Sequence, residues 1–325
     1  MKNRLFNIFV ISVLLSLVLA ACNIVADAVP TPESQNKVTI RIGVLPLIDA
    51  LPLYVADSQG YFSKQNIKLE FIPVASAAER DQLMQTGRID AMINDLVSTV
   101  FYNKKKVEIV IVRFARTATT TYPQYRILVS PNSGITNLNE LKGVGIAISD
   151  GTVIAYVTDR LLQAEGFTTN DIETVAIPRI PDRLAALNND SIKAATIPDP
   201  AASVAIAGGA RVILDDTKHP NYGNSVFSFS VAFVKNNPNQ IKAFLTAYEL
   251  GVKDINQDKT KWNDILLANN LLPKALIANY ILPDFPVASV PTLAQFEDVN
   301  NWAKEKGLIS LNTSYDESVN ANFLP

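Results

Sequence analysis

The amino-acid sequence predicts an α/β protein with two similar lobes. Strand-like segments are followed repeatedly by helical segments, which is typical of sheets covered by helices. The chain has 325 residues, which suggests about two domains at roughly 100–200 residues each. Hydrophobic residues make up 48% of the chain and charged residues 18%, so the chain is expected to form packed cores rather than to stay disordered.

The first part of the chain alternates strands with helices. Alternating apolar and polar residues predict strands at residues 38–44, 68–72, 89–93 and 107–112. Pro52 suits the first turn of a helix, because its missing N–H would be unpaired there in any case, and Gly60 suits the end of that helix. Ser76 and Glu79 form a capping box that starts a second helix. This order favours a largely parallel sheet.

The middle of the chain repeats this order, with strands predicted at residues 144–148, 172–177 and 192–197. In both parts a helix, a break, an Ile-x-Ala segment and a short apolar strand lead to an aspartate, Asp95 or Asp199. This weak duplication suggests two lobes, and helical patterns dominate after Pro238. The predicted boundaries are 38–125 plus 234–325 for lobe 1 and 126–233 for lobe 2, with crossings at 126–130 and 225–233.

Residues 1–21 are predicted to be a signal peptide, with a basic start and an apolar run at residues 8–21. That run is shorter than the ~20 residues a spanning helix needs. The segment Leu-Ala-Ala-Cys at residues 19–22 resembles the bacterial lipoprotein box, which implies cleavage before Cys22 and its acylation, as by palmitate. Several acyl chains give stable anchoring, and the polar residues 22–37 then form a flexible tether. The alternative is a simple secretory peptide with an incidental cysteine.

The composition argues against several kinds of site. With 29 basic and 31 acidic residues the net charge is 29 − 31 = −2, so no nucleic-acid partner is expected. One cysteine excludes an intrachain disulfide and a multi-cysteine zinc site. His219 is the single histidine of the sequence, so a two-histidine metal site is excluded. No metal or other cofactor is expected.

Several segments together resemble the substrate-binding proteins of ABC importers, specifically the sulfonate/nitrate/thiamine-pyrimidine (SsuA-like) family. The matching segments are PLYVA (52–56), GYF (60–62), GRIDA (87–91), LNELKG (138–143), DGT (150–152), DP (199–200) and NWAKEKGL (301–308). The resemblance implies a two-lobed periplasmic-binding-protein-like fold (type II) joined by two crossover strands. It also implies a monomer that closes on a small molecule and delivers it to an ABC permease and its ATPase.

Loops that follow the predicted strands supply candidate ligand-binding residues, because ligands of open α/β sheets lie beyond the carboxyl ends of the strands. Asp49, Asn94 and Asp95 would accept hydrogen bonds from a ligand, or else cap the helices that follow. Gly151 and Thr152 open a helix whose positive end suits an anionic or carbonyl oxygen. The alternative is that the preceding aspartate merely caps that helix.

Further candidates lie near the predicted crossings. Asp199 stands between two prolines, and the resemblance implies an acidic ligand contact there; a bond across the hinge is the alternative. Aromatic rings near the crossings would stack on a planar ligand and Arg116 would pair with an anion, whereas ordinary packing is the other interpretation. These remaining candidates are Phe114, Arg116, Tyr122, Tyr125 and Tyr222.

The predicted function is solute binding without catalysis, by a protein that is exported and lipid-anchored at the outer face of the cell membrane. Three acidic candidates favour a ligand rich in hydrogen-bond donors, and the aromatic residues favour a planar ring. Together they favour a heterocyclic vitamin or precursor, such as riboflavin or a thiamine pyrimidine. Arg116 and the helix that opens at Thr152 keep a sulfonate- or nitrate-type anion as the alternative. A carboxylate-based enzyme on the same scaffold is the alternative from a different class.

Overall fold

The computed structural model describes residues 37–325, which form two five-stranded sheets. The strands, in chain order, are β1 (Val38–Val44), β2 (Ile67–Pro73), β3 (Ala91–Asn94), β4 (Ile109–Thr117), β5 (Tyr125–Val129), β6 (Gly145–Ile148), β7 (Glu173–Ala176), β8 (Ala194–Pro198), β9 (Arg211–Asp215) and β10 (Asn224–Ser230). The predicted signal peptide, Cys22 and all of the predicted tether before Lys37 lie outside the described residues.

Both sheets are mixed, with one antiparallel strand inserted next to parallel ones. The first sheet has the order β2-β1-β3-β10-β4, in which β10 runs antiparallel to both neighbours. The second has the order β7-β6-β8-β5-β9, in which β5 is the antiparallel strand. The other pairs are parallel. We call the first sheet with its helices lobe 1 and the second lobe 2.

Twelve α-helices are found within residues 37–325, and they cover these sheets. In chain order they are α1 (Leu51–Ser58), α2 (Tyr61–Lys64), α3 (Ala77–Gln85), α4 (Leu96–Asn103), α5 (Val153–Ala164), α6 (Ile180–Asn188), α7 (Ala201–Ala207), α8 (Val231–Asn236), α9 (Pro238–Gln257), α10 (Asn263–Ala268), α11 (Leu293–Glu305) and α12 (Tyr315–Ser318). None of the helices in the described part of the chain is long and apolar enough to cross a membrane.

Lobe 1 is built around aromatic side chains between its sheet and helix α9. Phe227 of β10 lies 4.7 Å from Tyr248 and 5.7 Å from Phe244 between ring centroids, and all three side chains are fully buried. Helix α1 packs on the same core through Leu53 and Val55. Burying aromatic rings of this size supplies much of the stability of such a core.

A second core cluster joins the two lobes. It includes Ile111 of β4 in lobe 1, Ile127 of β5 in lobe 2 and Trp302 of α11. Helix α11 contacts α4 of lobe 1 and also α5 of lobe 2, where the Trp302 ring meets Tyr156 edge-on at 5.6 Å. The C-terminal segment, predicted as part of lobe 1, therefore packs on both lobes.

The chain changes lobe between β4 and β5 and again between β9 and β10. Asp216, in the second connection, accepts hydrogen bonds from the backbone N–H groups of Gln124 (2.8 Å) and Tyr125 (3.1 Å) at the end of the first. One carboxylate therefore ties the two connections together. The segments predicted as crossings, 126–130 and 225–233, fall mostly within β5 and β10, each of which lies in a single sheet.

The two-lobed α/β architecture predicted from the sequence is confirmed, since each lobe is a sheet covered by helices. The carboxyl ends of β1 and β3 in lobe 1 and of β6, β7 and β8 in lobe 2 meet at one cavity. This arrangement places the loops after those strands around a common space.

Candidate functional site

A cavity lies between the lobes, and concave sites of this kind, with mostly apolar walls and a few polar groups, are where small molecules bind. Leu45, Leu47 and Ala50 supply apolar wall from lobe 1, and Val153, Ile154 and Ile180 supply it from lobe 2. The charged residues of the wall are Asp49, Arg80, Asp95 and Arg183.

Arg183 is the most unusual of these side chains, because it is fully buried without a counter-ion among the residues that the structure describes. Its Nη1 donates to the carbonyl oxygen of Ile177 at 2.8 Å and to Ser149 Oγ at 3.2 Å. Its Nε and Nη2 find no acceptor among residues 37–325. Burial lowers the pKa of Arg183 to about 10, still far above neutral pH, so the guanidinium keeps its charge.

Arg80, by contrast, is buried with its charge compensated. Its guanidinium lies 2.8 Å from Asp81 Oδ1 and 3.6 Å from Asp95 Oδ2, and its Nη1 donates to the carbonyl of Ile93 at 3.0 Å. Burial lowers the pKa of Arg80, but Asp81 and Asp95 outweigh that effect and raise it above its ordinary value. Arg80 therefore stiffens the wall around Asp95.

Asp49 and Asn94 bring unused acceptors to the lobe 1 side. Asp49 is 4% exposed and lies 3.6 Å from Arg116 Nη1, yet its Oδ1 accepts no hydrogen bond from the described residues. Asn94 is 2% exposed, and its Oδ1 is likewise without a donor in the described part of the chain. Among the described residues, the wall of lobe 1 thus holds these two unpartnered oxygens together with Arg80 Nη2 and the Ser225 hydroxyl, whereas the wall of lobe 2 holds Nε and Nη2 of Arg183.

Four helices begin at the cavity, so their positive ends face it. Asp95 caps α4 by accepting from the N–H of Ser98 at 2.8 Å, and Thr152 caps α5 by accepting from the N–H of Ile154 at 3.2 Å. Helices α3 and α6 contribute their first residues, Ala77 and Ile180, to the wall. The combined field of these helix ends favours a negative ligand group.

Tyr125 and Ser225 complete the polar part of the wall. Burial raises the pKa of Tyr125 well above its ordinary value, and the carboxylates of Asp49, Asp95 and Asp216 add to that rise, so the phenol is neutral. The hydroxyl oxygen of Ser225 is buried and unpartnered within residues 37–325. Either hydroxyl can serve a ligand as donor or acceptor.

The cavity brings together five of the residues that the sequence analysis proposed, namely Asp49, Asn94, Asp95, Tyr125 and Thr152. Asp95 also has the capping role given as its alternative, since it caps α4, whereas α5 is capped by Thr152 itself and not by the preceding Asp150. Their part in ligand binding stays a prediction.

Six proposed residues lie away from the cavity wall. Asp199 pairs with Arg126 Nη1 at 2.5 Å and accepts from the Tyr280 hydroxyl, and it lines a second cavity with Arg116 and Tyr122. The other three have local roles. Phe114 is buried in the joint core, Gly151 faces Phe101 at positive φ, and Tyr222 meets Tyr156 edge-on.

Arg183 and Arg80 are the charged wall residues that sequence reasoning missed. Arg183 precedes Leu187 by four residues, and both are fully buried on the same face of α6. An arginine at a position where the helical period calls for an apolar residue is the signal that would have pointed to it. Arg80 likewise precedes Met84 by four residues on the buried face of α3.

The fold and the interlobe cavity define a two-lobed binding-protein scaffold of the periplasmic type. The chain belongs to the NMT1/THI5-like family, whose model matches residues 48–260, well over half of the sequence. No protein of curated function matches the chain in sequence.

Solved structures share this fold. The alkanesulfonate-binding protein SsuA from Xanthomonas axonopodis pv. citri, bound to MOPS, is 19% identical with a TM-score of 0.73, over 86% of this chain and 97% of that one. The aliphatic sulphonate binding protein SsuA from Escherichia coli is 21% identical with a TM-score of 0.70, over 86% and 91%. The desulfurization enzyme DSZB is 15% identical with a TM-score of 0.66, over 88% and 97%. At these identities the likeness shows the fold alone, and that fold carries both binding proteins and an enzyme.

Proposed function

We propose that this protein is the solute-binding component of an ABC importer and that it captures a small organic anion between its lobes. The observation that carries the proposal is Arg183, a fully buried guanidinium whose Nε and Nη2 have no acceptor within residues 37–325. Family membership and the likeness to sulfonate-binding proteins support the same class. Delivery to a permease and its ATPase is part of the proposal.

The energetics of Arg183 favour an anionic ligand over a neutral one. A buried charge without a partner costs several kcal/mol, and Ser149 and Ile177 satisfy only one end of this guanidinium. Nε–H and Nη2–H lie in the guanidinium plane and point in the same direction, so they can bind two oxygens of one sulfonate or carboxylate side by side. A bound sulfonate or carboxylate supplies the missing partner of the buried guanidinium. The free energy that the unpaired charge costs the empty protein is then recovered on binding, which increases the affinity.

The prediction of a heterocyclic vitamin or precursor, such as riboflavin or a thiamine pyrimidine, stays a prediction. Tyr125 is the aromatic candidate that lines the cavity, whereas Phe114, Tyr122 and Tyr222 do not. Of the three acidic candidates, Asp49 and Asp95 line it and Asp199 does not. The described walls therefore give more support to the anion alternative of the sequence analysis than to stacking of a planar ring.

The location and chemistry of the protein are also proposals. We infer export and anchoring at the outer face of the cell membrane by lipid on Cys22, with the protein acting as a monomer. We also infer that the ligand leaves chemically unchanged. Incubation of the protein with its ligand, followed by chromatography, tests this point, and recovery of an altered product would make the protein an enzyme.

Calorimetric titration of the purified protein with alkanesulfonates, carboxylates, flavins and pyrimidines tests the proposed ligand class. Arg183→Met removes the charge and keeps an unbranched, flexible side chain, so we expect it to weaken anion binding by roughly a hundredfold or more. Arg179→Met is the matched control, because Arg179 directly precedes the same helix without a side-chain capping bond, is exposed and does not line the cavity. Anion binding that survives Arg183→Met unchanged would refute the proposal.

A further inference from the structure

We propose that the ligand is zwitterionic, with its acid group on Arg183 of lobe 2 and an ammonium or similar N–H cation on Asp49 and Asn94 of lobe 1. The inference rests on the proposed function and deepens it, because it adds a second charged group to the captured anion. Its basis is that, within residues 37–325, Asp49 Oδ1 and Asn94 Oδ1 of the lobe 1 wall accept no hydrogen bond, and Nε and Nη2 of Arg183 in the lobe 2 wall donate none.

The geometry of Asn94 fixes which of its atoms faces a ligand. Its Nδ2 donates to the carbonyl oxygen of Asp95 at 3.3 Å and to Thr99 Oγ1 at 3.0 Å. Thr99 gives its own hydroxyl proton to the same carbonyl at 3.0 Å, so its oxygen can only accept from Asn94. The amide group is therefore held in one orientation, and Oδ1 is the atom left without a donor among the described residues.

Asp49 is close to one cation, Arg116, whose Nε and Nη1 donate no hydrogen bond within residues 37–325. Arg116 Nη1 is 3.6 Å from Asp49 Oδ1, beyond a hydrogen bond, and Nη2 donates instead to the carbonyl of Pro123 at 3.0 Å. Burial lowers the pKa of Arg116, and the negative charges of Asp49, Asp199 and Asp216 help to raise it overall. Asp49 Oδ1 accordingly remains a buried acceptor in the cavity wall without a hydrogen-bond donor among the described residues.

The charges of the cavity wall are divided between the lobes. Lobe 1 contributes Asp49, Asp95 and Arg80, a formal sum of +1 − 2 = −1, and lobe 2 contributes Arg183, a formal charge of +1. Asp81 also shares the charge of Arg80 from outside the wall. Burial is the cause of the lowered pKa of Arg183, and no carboxylate of residues 37–325 opposes it. The two walls thus carry opposite formal charges.

A ligand with only one charged end would satisfy only one wall. An alkyl tail against lobe 1 would exclude water from Asp49 and Asn94 without replacing it by donors, and each buried unsatisfied acceptor costs roughly 1–3 kcal/mol. An ammonium group supplies three N–H donors and the missing positive charge. The wall of lobe 1 therefore selects for a donor-bearing, cationic end.

Matched pairs of ligands test this inference without any variant. We choose 3-aminopropane-1-sulfonate against butane-1-sulfonate and 4-aminobutanoate against pentanoate, because each pair differs by an ammonium in place of a methyl group. Calorimetry with the wild-type protein is expected to show at least tenfold tighter binding of the zwitterion in one of the two series. Equal or tighter binding of the alkyl compound in both series would overturn the inference while leaving the proposed anion binding intact.

Two variants test whether the preference for the zwitterion over the alkyl compound comes from the wall of lobe 1. Asp49→Asn keeps the size of the side chain and is expected to reduce the zwitterion-to-alkyl affinity ratio several-fold, whereas the exposed Asp182→Asn leaves the ratio unchanged. Thermal unfolding confirms that each variant is folded. A ratio unaffected by Asp49→Asn would contradict the assignment. If no compound of either series binds, or if Arg183→Met binds them as the wild type does, the proposed function fails as well.

Discussion

Trp302 of α11 donates its indole N–H to Asp159 Oδ2 of α5 at 2.7 Å, and this bond fixes the C-terminal helix to lobe 2. Asp159 is 3% exposed, and Lys306 Nζ lies 2.8 Å from the same oxygen. One turn away, Asp298 of α11 accepts from the Tyr156 hydroxyl at 2.6 Å and from Arg160 at 3.1 Å. Charged and aromatic contacts thus attach α11 to α5 along two helical turns.

Trp302→Phe is expected to lower the free energy of unfolding by about 1–3 kcal/mol, because it deprives a buried carboxylate of a donor. Trp262→Phe is the control: Trp262 is equally buried to within a few per cent, but its indole N–H donates to a backbone carbonyl, that of Asp258 at 2.7 Å. Urea denaturation followed by fluorescence or circular dichroism measures both. Similar losses in the two variants would show that Asp159 adds nothing beyond an ordinary hydrogen bond.

Arg183→Met is expected to stabilise the ligand-free protein by about 1–4 kcal/mol while removing its stabilisation by ligand. The reason is that an apolar side chain replaces a buried charge that has no counter-ion among the described residues. Thermal unfolding with and without the ligand found by titration measures both effects. A ligand-free variant less stable than wild type would mean that the charge of Arg183 already has a partner in the empty protein.

Because of Asp216, the free energy of unfolding is expected to fall as the pH rises from about 4 to about 7. Burial raises the pKa of Asp216 to about 7, against the hydrogen bonds from Gln124 and Tyr125 that lower it. The folded state then holds a proton that the unfolded state has lost, so unfolding becomes easier by up to about 1.4 kcal/mol per pH unit in that window.

Urea denaturation of wild type and Asp216→Asn at several pH values between 4 and 8 tests the role of Asp216. The variant cannot titrate at this position, so the decline across the window is expected to become shallower. Because Asn can accept through one oxygen only, its absolute stability is not the readout. An unchanged slope in the variant would assign the pH dependence to another group.

Tyr280→Phe is expected to weaken ligand binding several-fold. Asp199 of lobe 2 accepts from the hydroxyl of Tyr280, whose ring packs on the core of lobe 1, so the bond holds the lobes in the arrangement seen here. Its loss shifts the population toward more open forms, and the apparent affinity falls with the closed fraction.

Small-angle scattering of the ligand-free Tyr280→Phe protein provides the independent check, since a larger radius of gyration is expected beside the lower affinity. Tyr61→Phe is a suitable control, because Tyr61 bonds to Asp254 with both partners in lobe 1. Unchanged affinity and unchanged dimensions in Tyr280→Phe would show that the Asp199 contact does not govern closure.

Local patterns predicted most of the architecture. Alternation predicted a strand at 38–44, where β1 is Val38–Val44, and the capping box of Ser76 and Glu79 marks the start of α3. These signals work because they depend on neighbours in sequence. The division between lobes depends on which strands pair, and β10 pairs with β3 and β4 through contacts more than 100 residues away in sequence.

The candidate site could be predicted only in part for a related reason. Asp49, Asn94 and Asp95 follow strands and therefore stand at the carboxyl edge of the sheet by topology alone. Arg183 lies in the first turn of α6 and enters the wall because that helix packs its start against Ser149. Asp199 also follows a strand, β8, but its pairing with Arg126 draws it to the second cavity. Tertiary packing decided both cases.

The attachment of α11 to α4 and to α5 has a consequence for how tightly a solute is held. A helix that contacts both lobes limits how far and in how many directions they can separate. The empty protein then samples few open arrangements, so capture of a solute removes little freedom of motion. A larger share of each contact made in the closed cavity is thereby retained as affinity.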